Sequence, residues 1–263
     1  MAPSIPKISL LLTFVALSSL VMTVKSLNFS QSLAFAPAVA TFFGDPNGAG
    51  SNGGACGFED AVGKPPYSSR VSAGNQALFK QGKGCGTCYS VLCTTASNSA
   101  CSGSAVRVVI TDQCPGSCDN DPVHFDLSGT AFGALAKPGL ANQLRNAGRI
   151  NILFQRVPCN YGNQKILFHV DRGSNPFFFA FVIEFENGDG DLASVEIQQA
   201  GSNQFLRTQQ NFGASYKINS GQPLKGPFSI RLTQIESRRS IVAQNVIPAN
   251  WKPGDFFLSR VNF

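Results

Sequence analysis

The sequence predicts a mainly β protein of two domains, a cysteine-rich β-barrel followed by a β-sandwich. All eight cysteines lie between Cys56 and Cys159, and none follows. The two halves are therefore stabilised differently, which indicates two domains. Short runs rich in β-branched and aromatic residues alternate with turn residues through both halves, a pattern typical of all-β folds.

Residues 1–26 have the pattern of a secretory signal. Lys7 precedes an apolar run at 8–22, and the segment ends in Ser26. The run has the length of a signal core and is short for a membrane span, so a membrane anchor is the less favoured alternative. We expect a secreted protein with a glycosylation sequon at Asn28 and no stable membrane insertion.

The net charge is +6. Without residues 1–26, which carry Lys7 and Lys25 and no acidic residue, 19 basic and 15 acidic side chains leave +4. This mild positive charge favours anionic partners such as acidic polysaccharides. No lysine or arginine cluster is interleaved with aromatic residues, so the sequence does not favour a nucleic-acid partner.

Eight cysteines in an exported chain predict four disulfides. Cys85 and Cys88 also have the spacing of a zinc or redox pair, and Cys114 and Cys118 would supply the second pair of zinc ligands. An oxidising compartment favours disulfides over both alternatives. We expect no metal and no cofactor.

The first domain is predicted to combine a few strands with short helices and one long loop. The loop is the Gly/Asn-rich segment 45–55, and loops of this kind often carry function. Predicted strands are 88–93, 105–110 and 150–157, and predicted helices are 127–136 and 139–147. A linker at 160–164 precedes the predicted sandwich strands at 166–170, 177–185, 193–198, 205–209, 215–218, 228–233 and 240–247.

Two aspartates are the candidates for chemistry. Asp112 ends a predicted strand, and Asp126 follows the apolar pair of His124 and Phe125. Glycoside hydrolysis needs two carboxyl groups, one of them kept protonated by its surroundings, and Asp126 beside Phe125 and Leu127 suits that role. The alternative is that Asp126 caps the helix predicted at 127–136.

Only two histidines are present. His124 is a candidate base or sugar contact, but no nucleophile-elbow motif accompanies it, which disfavours a serine-hydrolase triad. His169 lies within a predicted strand among apolar residues, and we expect a structural role for it.

The predicted strand at 177–185 is rich in phenylalanine. With a period of two, its core face should carry Phe177, Phe179, Phe181, Ile183 and Phe185. Phe178 should share the solvent face with Glu184 and Glu186, where it could stack on sugar or be an ordinary surface residue. Phe212 and Tyr216 are further candidates, although their parity with Ile218 points them inward unless Gly213 interrupts the register.

Several ordered motifs resemble the expansins, plant wall-loosening proteins, and specifically the β-expansins, which are related to group-1 grass pollen allergens. The resemblance runs from about Ala40 to Phe263. The motifs are NGGACG at 52–57, GKGCGTCY at 82–89, HFDLSGTAF at 124–132, LKGPFSIRLT at 224–233 and VIPANW at 246–251.

The resemblance implies a six-stranded double-psi β-barrel at 40–163 and an immunoglobulin-like β-sandwich at 164–263 that binds wall glycan. The barrel is similar to that of family-45 endoglucanases, in which an Asp at the position of Asp126 is the general acid. Expansins are understood to lack the base and to disrupt noncovalent contacts between polysaccharides without hydrolysis. The implied disulfides are Cys56–Cys85, Cys88–Cys159, Cys93–Cys101 and Cys114–Cys118.

This chain departs from the family pattern at several positions. Thr41 is followed by Phe42 and Phe43 where the family usually has Trp-Tyr, so a tyrosine hydroxyl is missing. Asn52 replaces a common Asp and cannot serve as a base. Phe178 and Phe212 stand where Trp or Tyr is commoner, and phenylalanine offers sugar no polar handle.

The leading hypothesis is a secreted, monomeric wall-loosening binder of cellulose and xylan-type matrix glycans in the plant cell wall. Its expected sugar contacts are Thr41, Phe43, Asp112, His124, Asp126, Phe178, Phe212 and Tyr216. One alternative is an endoglucanase with Asp126 as acid and Asp112 or Asp45 as base. Another is a carbohydrate-binding or allergen-like protein without loosening activity.

Overall fold

The computed structural model describes residues 34–263. The predicted signal segment 1–26 and the sequon at Asn28 lie outside these residues. Within the described part of the chain, no helix is both long and apolar enough to cross a membrane.

Six strands close into a barrel in the order β1-β5-β2-β4-β3-β6, which confirms the predicted six-stranded barrel. The strands are β1 Ala36–Phe43, β2 Val71–Gly74, β3 Cys88–Leu92, β4 Val106–Gln113, β5 His124–Ser128 and β6 Ile150–Val157. β1 runs parallel to β5 and β2 parallel to β4, and the remaining pairs are antiparallel. Strand alternation sends Ala38, Ala40, Phe125 and Leu127 into the barrel core.

The helices of the barrel domain are short: α1 Gln76–Phe79, α2 Gly129–Gly133 and α3 Ala141–Asn146. The helix predicted at 127–136 is therefore too long. Leu127 and Ser128 belong to β5 instead, because Leu127 fills the barrel interior and its neighbours face outward.

Nine strands form two facing sheets in the second domain. One sheet has the order β10-β9-β13-β14 and the other β11-β12-β8-β7-β15. The strands are β7 Leu167–Val170, β8 Phe178–Glu184, β9 Leu192–Gln198, β10 Phe205–Arg207, β11 Gln209–Phe212, β12 Ser215–Asn219, β13 Phe228–Gln234, β14 Ser240–Ile247 and β15 Phe256–Leu258. The single strand predicted at 205–209 is two strands, since β10 and β11 lie in different sheets.

The predicted alternation in β8 is only half correct. Phe179, Phe181 and Ile183 are fully buried in the sandwich core, as expected. Phe177, however, precedes the strand and is 52% exposed. Phe185 has a positive φ of 68°, which breaks the alternation, and its ring packs on the barrel side of the sheet.

The predicted solvent face of β8 is also wrong for the two glutamates. Glu184 and Glu186 are buried, with 2% and 5% of their surface exposed. The reason is a third apolar cluster, which we call the junction core. It combines barrel-domain residues such as Phe58 and Tyr67 with Val182, Phe185 and Ala214 of the sandwich.

The junction core fixes the barrel against the sandwich. The rings of Tyr67 and Phe185 lie 4.9 Å apart, and the amide of Ala214 donates to the carbonyl of Cys56 at 3.0 Å. Arg156 of β6 forms a largely buried ion pair with Asp191, at 2.9 Å, beside β9. The outer face of β8 is thus an interface along half of its length.

Four disulfides join Cys56–Cys85, Cys88–Cys159, Cys93–Cys101 and Cys114–Cys118. These are the pairs that the resemblance implies. Cys85 and Cys88 belong to two different bridges, so they are not available as a zinc or redox pair. Among the described residues, no group of three or more His, Cys, Asp or Glu side chains is arranged to hold a metal ion.

Candidate functional site

The barrel places three site residues in one row across neighbouring strands. Thr41 of β1 is in register with Asp126 of β5, and Asp126 with Ala73 of β2. Ala73 is in turn in register with Asp112 of β4. Residues in register project to the same face of a sheet, so Thr41, Asp126 and Asp112 share the outer face of the barrel. We call this set the polar row.

Asp126 is the central carboxyl group of the polar row. Partial burial raises its pKa above the usual value, and the negative charge of Asp112 contributes in the same direction. The Thr41 hydroxyl donates to Asp126 Oδ1 at 2.5 Å and opposes this shift. The raised pKa agrees with the expectation, but the assigned cause was wrong, because Phe125 and Leu127 point into the barrel core.

Asp126 does not cap a helix. The N-cap of α2 is Ser128, whose side-chain oxygen accepts from the amide of Ala131 at 3.0 Å. Because the cap falls two residues later, the Asp126 carboxyl is left to the outer face of the barrel.

His124 lies behind Asp126 on the same strand and is 3% exposed. Its Nε2 lies 2.8 Å from the Thr41 hydroxyl, and its Nδ1 lies 2.7 Å from Asp121 Oδ2. Arg149 donates to both oxygens of Asp121, each at 2.8 Å. Asp121 and Arg149 are site residues that the sequence did not reveal, since they lie 28 positions apart in no recognisable motif.

Asp112 binds the glycine-rich loop. Its Oδ1 accepts from the amide of Ala55 at 2.7 Å and from its own neighbour Gln113 at 2.8 Å. Its Oδ2 accepts from the Ser51 hydroxyl at 3.2 Å. Gly54 permits this approach, because a Cβ at that position would lie 2.7 Å from Asp112 Cγ and 2.7 Å from the carbonyl of Thr111.

The aromatic residues after Thr41 divide between the two faces of β1. Phe42 turns inward and lies 5.2 Å from the ring of Phe132. Phe43 is half-buried on the outer side, where its ring packs directly on Gly50 of the loop. Asn52 and Asp45 are exposed loop residues. Neither side chain forms a hydrogen bond to the Asp126 carboxyl, whose hydrogen bond within the described residues comes from Thr41.

The sandwich continues the exposed surface with aromatic side chains. Phe212 of β11 is 47% exposed, and its ring contacts Gly57 of the barrel domain. Phe178 is half-exposed at the start of β8, about 13 Å along the strand from Val182, by the strand rise over four residues. Phe212 and Phe178 therefore share the outer face of the five-stranded sheet, beginning where the barrel ends.

Tyr216 does not belong to this outer face. It is in register with Phe181, a core residue, and packs against the sandwich core. Burial raises the pKa of its hydroxyl, and the nearby Glu186 and Asp191 act in the same direction. The expectation of Tyr216 as a sugar contact is corrected accordingly. The register shift lies between Gln210 and Phe212, before Gly213, and it turns Phe212 outward while Tyr216 stays inward.

The same sheet carries an exposed aromatic residue that the sequence did not single out. Phe256 of β15 is 57% exposed and stacks on His169, with ring centroids 3.9 Å apart. It lies at the opposite edge of the sheet from Phe212, because the register links Phe256 to His169, Val182, Ser215 and Phe212. His169 is thereby a buried packing residue on the sandwich.

Comparisons with known proteins agree in both domains. Residues 71–154 match a family model described as lytic transglycolase, and residues 166–248 match the expansin C-terminal domain. Expansin-B4 of Arabidopsis thaliana is 56% identical over 224 residues, which cover 85% of either chain. Expansin-B11 of Oryza sativa subsp. japonica is 53% identical over 232 residues, covering 87% of this chain and 78% of the rice protein.

Two solved structures share the fold. The apo expansin of Clavibacter michiganensis aligns with a TM-score of 0.64 at 22% identity, covering 87% of this chain and 98% of that one. A mutant of the same bacterial expansin in complex with cellohexaose aligns with a TM-score of 0.65 at 23% identity, with the same coverage.

Proposed function

Since the chain belongs to the expansin family and is more than half identical to several of its expansin-B members, we propose that it is secreted to the plant cell wall and loosens it by binding polysaccharide. The observation that carries this proposal is the continuity of the polar row with the aromatic surface of the sandwich. A single glycan chain could contact both, because Phe212 touches the barrel domain at Gly57.

The two parts of the surface suit different faces of a sugar. Thr41, Asp112 and Asp126 offer hydroxyl and carboxyl groups for sugar hydroxyls. Phe178, Phe212 and Phe43 offer apolar rings on which the C–H face of a sugar can stack, which removes apolar area from water. We expect cellulose and xylan-type matrix glycans as ligands and a monomer as the acting species. The complex of the bacterial expansin with cellohexaose supports a β-glucan ligand.

Loosening without hydrolysis requires only differential binding. If the protein binds a separated glycan chain more tightly than a paired one, it shifts the equilibrium toward separation. The surroundings of Asp112 support a nonhydrolytic role, because its two oxygens already accept three hydrogen bonds from the loop and from Gln113. A carboxylate engaged in this way is poorly suited to activate a water molecule.

One observation favours an endoglucanase as the second candidate. Asp126 and Asp112 stand in register on either side of β2. Their backbones are therefore separated by two inter-strand spacings, which is about 10 Å. Inverting glycosidases separate their carboxyl groups by roughly 6.5 to 9.5 Å. Asp126 would then be the acid and Asp112 the base.

The test is the extension of heat-inactivated plant wall under constant load, run beside a reducing-end assay on glucan and xylan. Extension without new reducing ends is the expected result, and Asp126→Asn should reduce the extension by an order of magnitude or more. New reducing ends that disappear in Asp126→Asn would instead establish the endoglucanase. Folded protein that binds polysaccharide but extends no wall at any acidic pH would identify a binding protein without loosening activity.

A further inference from the structure

An unbroken series of hydrogen bonds runs behind Asp126. From the surface inward it joins Arg149, Asp121, His124, Thr41 and Asp126, with successive heavy-atom distances of 2.8, 2.7, 2.8 and 2.5 Å. The His124 side chain is 4% exposed and that of Asp121 13% exposed. Water therefore has little access to the middle of the series, and the protons must be shared among its members.

At the Asp121 end of this series, the position of the hydrogen is fixed on His124 Nδ1. Asp121 accepts from both guanidinium nitrogens of Arg149 and from His124, and these contacts lower its pKa to about 2. Asp121 is thus a carboxylate, which can only accept hydrogen bonds. The short contact to His124 then requires a hydrogen on Nδ1. Whether Nε2 also carries a hydrogen determines the hydrogen bonds at the Asp126 end of the series.

The Thr41 hydroxyl has one hydrogen and two partners, so two arrangements satisfy both contacts. In the first, Nε2–H donates to Thr41, and Thr41 donates to an Asp126 carboxylate. In the second, Thr41 donates to a bare Nε2, and a protonated Asp126 donates to the Thr41 oxygen. The two arrangements contain the same number of protons.

We infer that His124 and Asp126 share a single proton through the Thr41 hydroxyl, with Asp121 and Arg149 as positioning residues that keep the other proton on Nδ1. Conversion between the forms breaks Nε2–H and forms Thr41 O–H, while the former Thr41 hydrogen passes to Asp126. No proton enters or leaves. Asp112 on β4 is the other charged group facing Asp126, and it favours the protonated carboxyl.

The inference deepens the proposed function and rests on it, because it assigns a role at the sugar-contacting carboxyl. A glycosidic or ring oxygen has no hydrogen and can only accept, so it selects the form in which Asp126 is protonated and takes the carboxyl hydrogen in place of the Thr41 oxygen, while Thr41 keeps its own bond to Nε2. A sugar hydroxyl that donates selects the carboxylate form. The site can therefore match either kind of sugar oxygen without taking a proton from solvent.

The test is a pH titration followed by NMR, which needs neither wall material nor glycan. Selective labelling gives only two imidazole signals, from His124 and His169, and His169→Gln assigns them. In the parent protein we expect the His124 ring and the Asp126 carboxyl carbon to show the same pair of inflexions, as coupled groups do. The Nε2 shift should lie between the protonated and unprotonated limits.

Thr41→Ser and Thr41→Val form the matched pair. Serine keeps the hydroxyl and should preserve the shared inflexions, whereas valine keeps the shape and should give two independent titrations. Asp121→Asn should lower the imidazolium fraction of His124 at any given pH. Valine curves that superimpose on the parent curves would overturn the inference, as would an Nε2 shift at either limit in the unmutated protein. If the parent protein shows coupled titration of His124 and Asp126 but extends no wall, the proposed function fails and the shared proton stands.

Discussion

At the scale of single residues, the site depends on the alternation of one five-residue strand. In β5, His124, Asp126 and Ser128 face outward, and Phe125 and Leu127 fill the barrel. The two sets have separate tasks: the outward residues make the polar contacts and the helix cap, and the inward residues hold the strand in register. Asp126 was identifiable from sequence, whereas Asp121 and Arg149 were not, since only the closed barrel brings them to His124.

Gly54 provides a test at this scale. In Gly54→Ala, the new methyl group would collide with the backbone at Thr111 and with the Asp112 side chain. We expect a loss of roughly 1 to 3 kcal/mol in the free energy of unfolding, the usual range for overpacking. Chemical denaturation measures it. Gly63→Ala is the control, since its added Cβ meets nothing within 4 Å, and an equal loss in both variants would contradict the prediction.

At the scale of elements, the outer face of the five-stranded sheet has two fates. Val182 and Glu184 are covered by the barrel, while Phe178, Phe212 and Phe256 remain open to solvent to different degrees. The sequence of β8 does not indicate which of its outward residues are covered by the barrel and which are exposed to solvent. Alternation assigns residues to the two faces of a strand, but it does not show what packs on either face. Phe212 is the member that adjoins the barrel.

Phe212 and Phe256 therefore form a matched pair for binding. We expect Phe212→Ala to weaken binding to insoluble cellulose by roughly 2- to 10-fold, from the loss of an aromatic stacking contact. Phe256→Ala, at the far edge of the same sheet, should leave binding within twofold of the parent. Depletion isotherms with purified, folded variants measure both. The reverse order of effects would move the binding surface to β15.

The sandwich strands were largely predictable from sequence, but half of the barrel was not. β1, β2 and β5 were absent from the predicted strands. β2 is the four-residue segment Val71–Gly74, which contains small residues that leave room for its neighbours but give no β-propensity signal. β5 carries the polar site residues on its outer face, so its pattern indicated a site and a helix start. The inward orientation of Phe125 and Leu127 can be predicted only when 124–128 is recognised as a strand.

At the scale of the whole molecule, three apolar cores act in series: barrel, junction and sandwich. The junction core also encloses carboxyl groups. Burial raises the pKa of Glu184 to about 8 and that of Glu186 to about 7, and Glu59 and Asp60 of the barrel domain add to the effect at Glu184. Protonated glutamates are compatible with this interface, and charged ones are not.

The stability of the protein should therefore fall as the pH rises. A glutamate with a folded-state pKa near 8 and an unfolded value of 4.5 binds more protons when folded, so its stabilising contribution is complete at acidic pH and is lost between about 4.5 and 8. Glu184→Gln should reduce this decline by roughly 5 kcal/mol, from about 1.4 kcal/mol for each pKa unit between 4.5 and 8. Urea denaturation across pH 4 to 9 measures it.

Glu196→Gln serves as the control for that experiment. Arg231 lowers the pKa of Glu196, so removing this carboxyl should leave the decline above pH 4.5 in place. A decline of the same size in the parent and in Glu184→Gln would show that Glu184 is not the responsible group.

The shared junction has a consequence for any attempt to study the halves apart. Val182, Phe185 and Ala214 on one side pack in the same apolar cluster as Phe58 and Tyr67 on the other. Cleaving the chain within 160–164 and separating the fragments would expose the apolar surface of the junction core on both fragments. It would also expose Glu184 to water. We expect the separated fragments to aggregate or to reassociate. The contribution of each domain to function therefore has to be measured with point mutations in the intact chain.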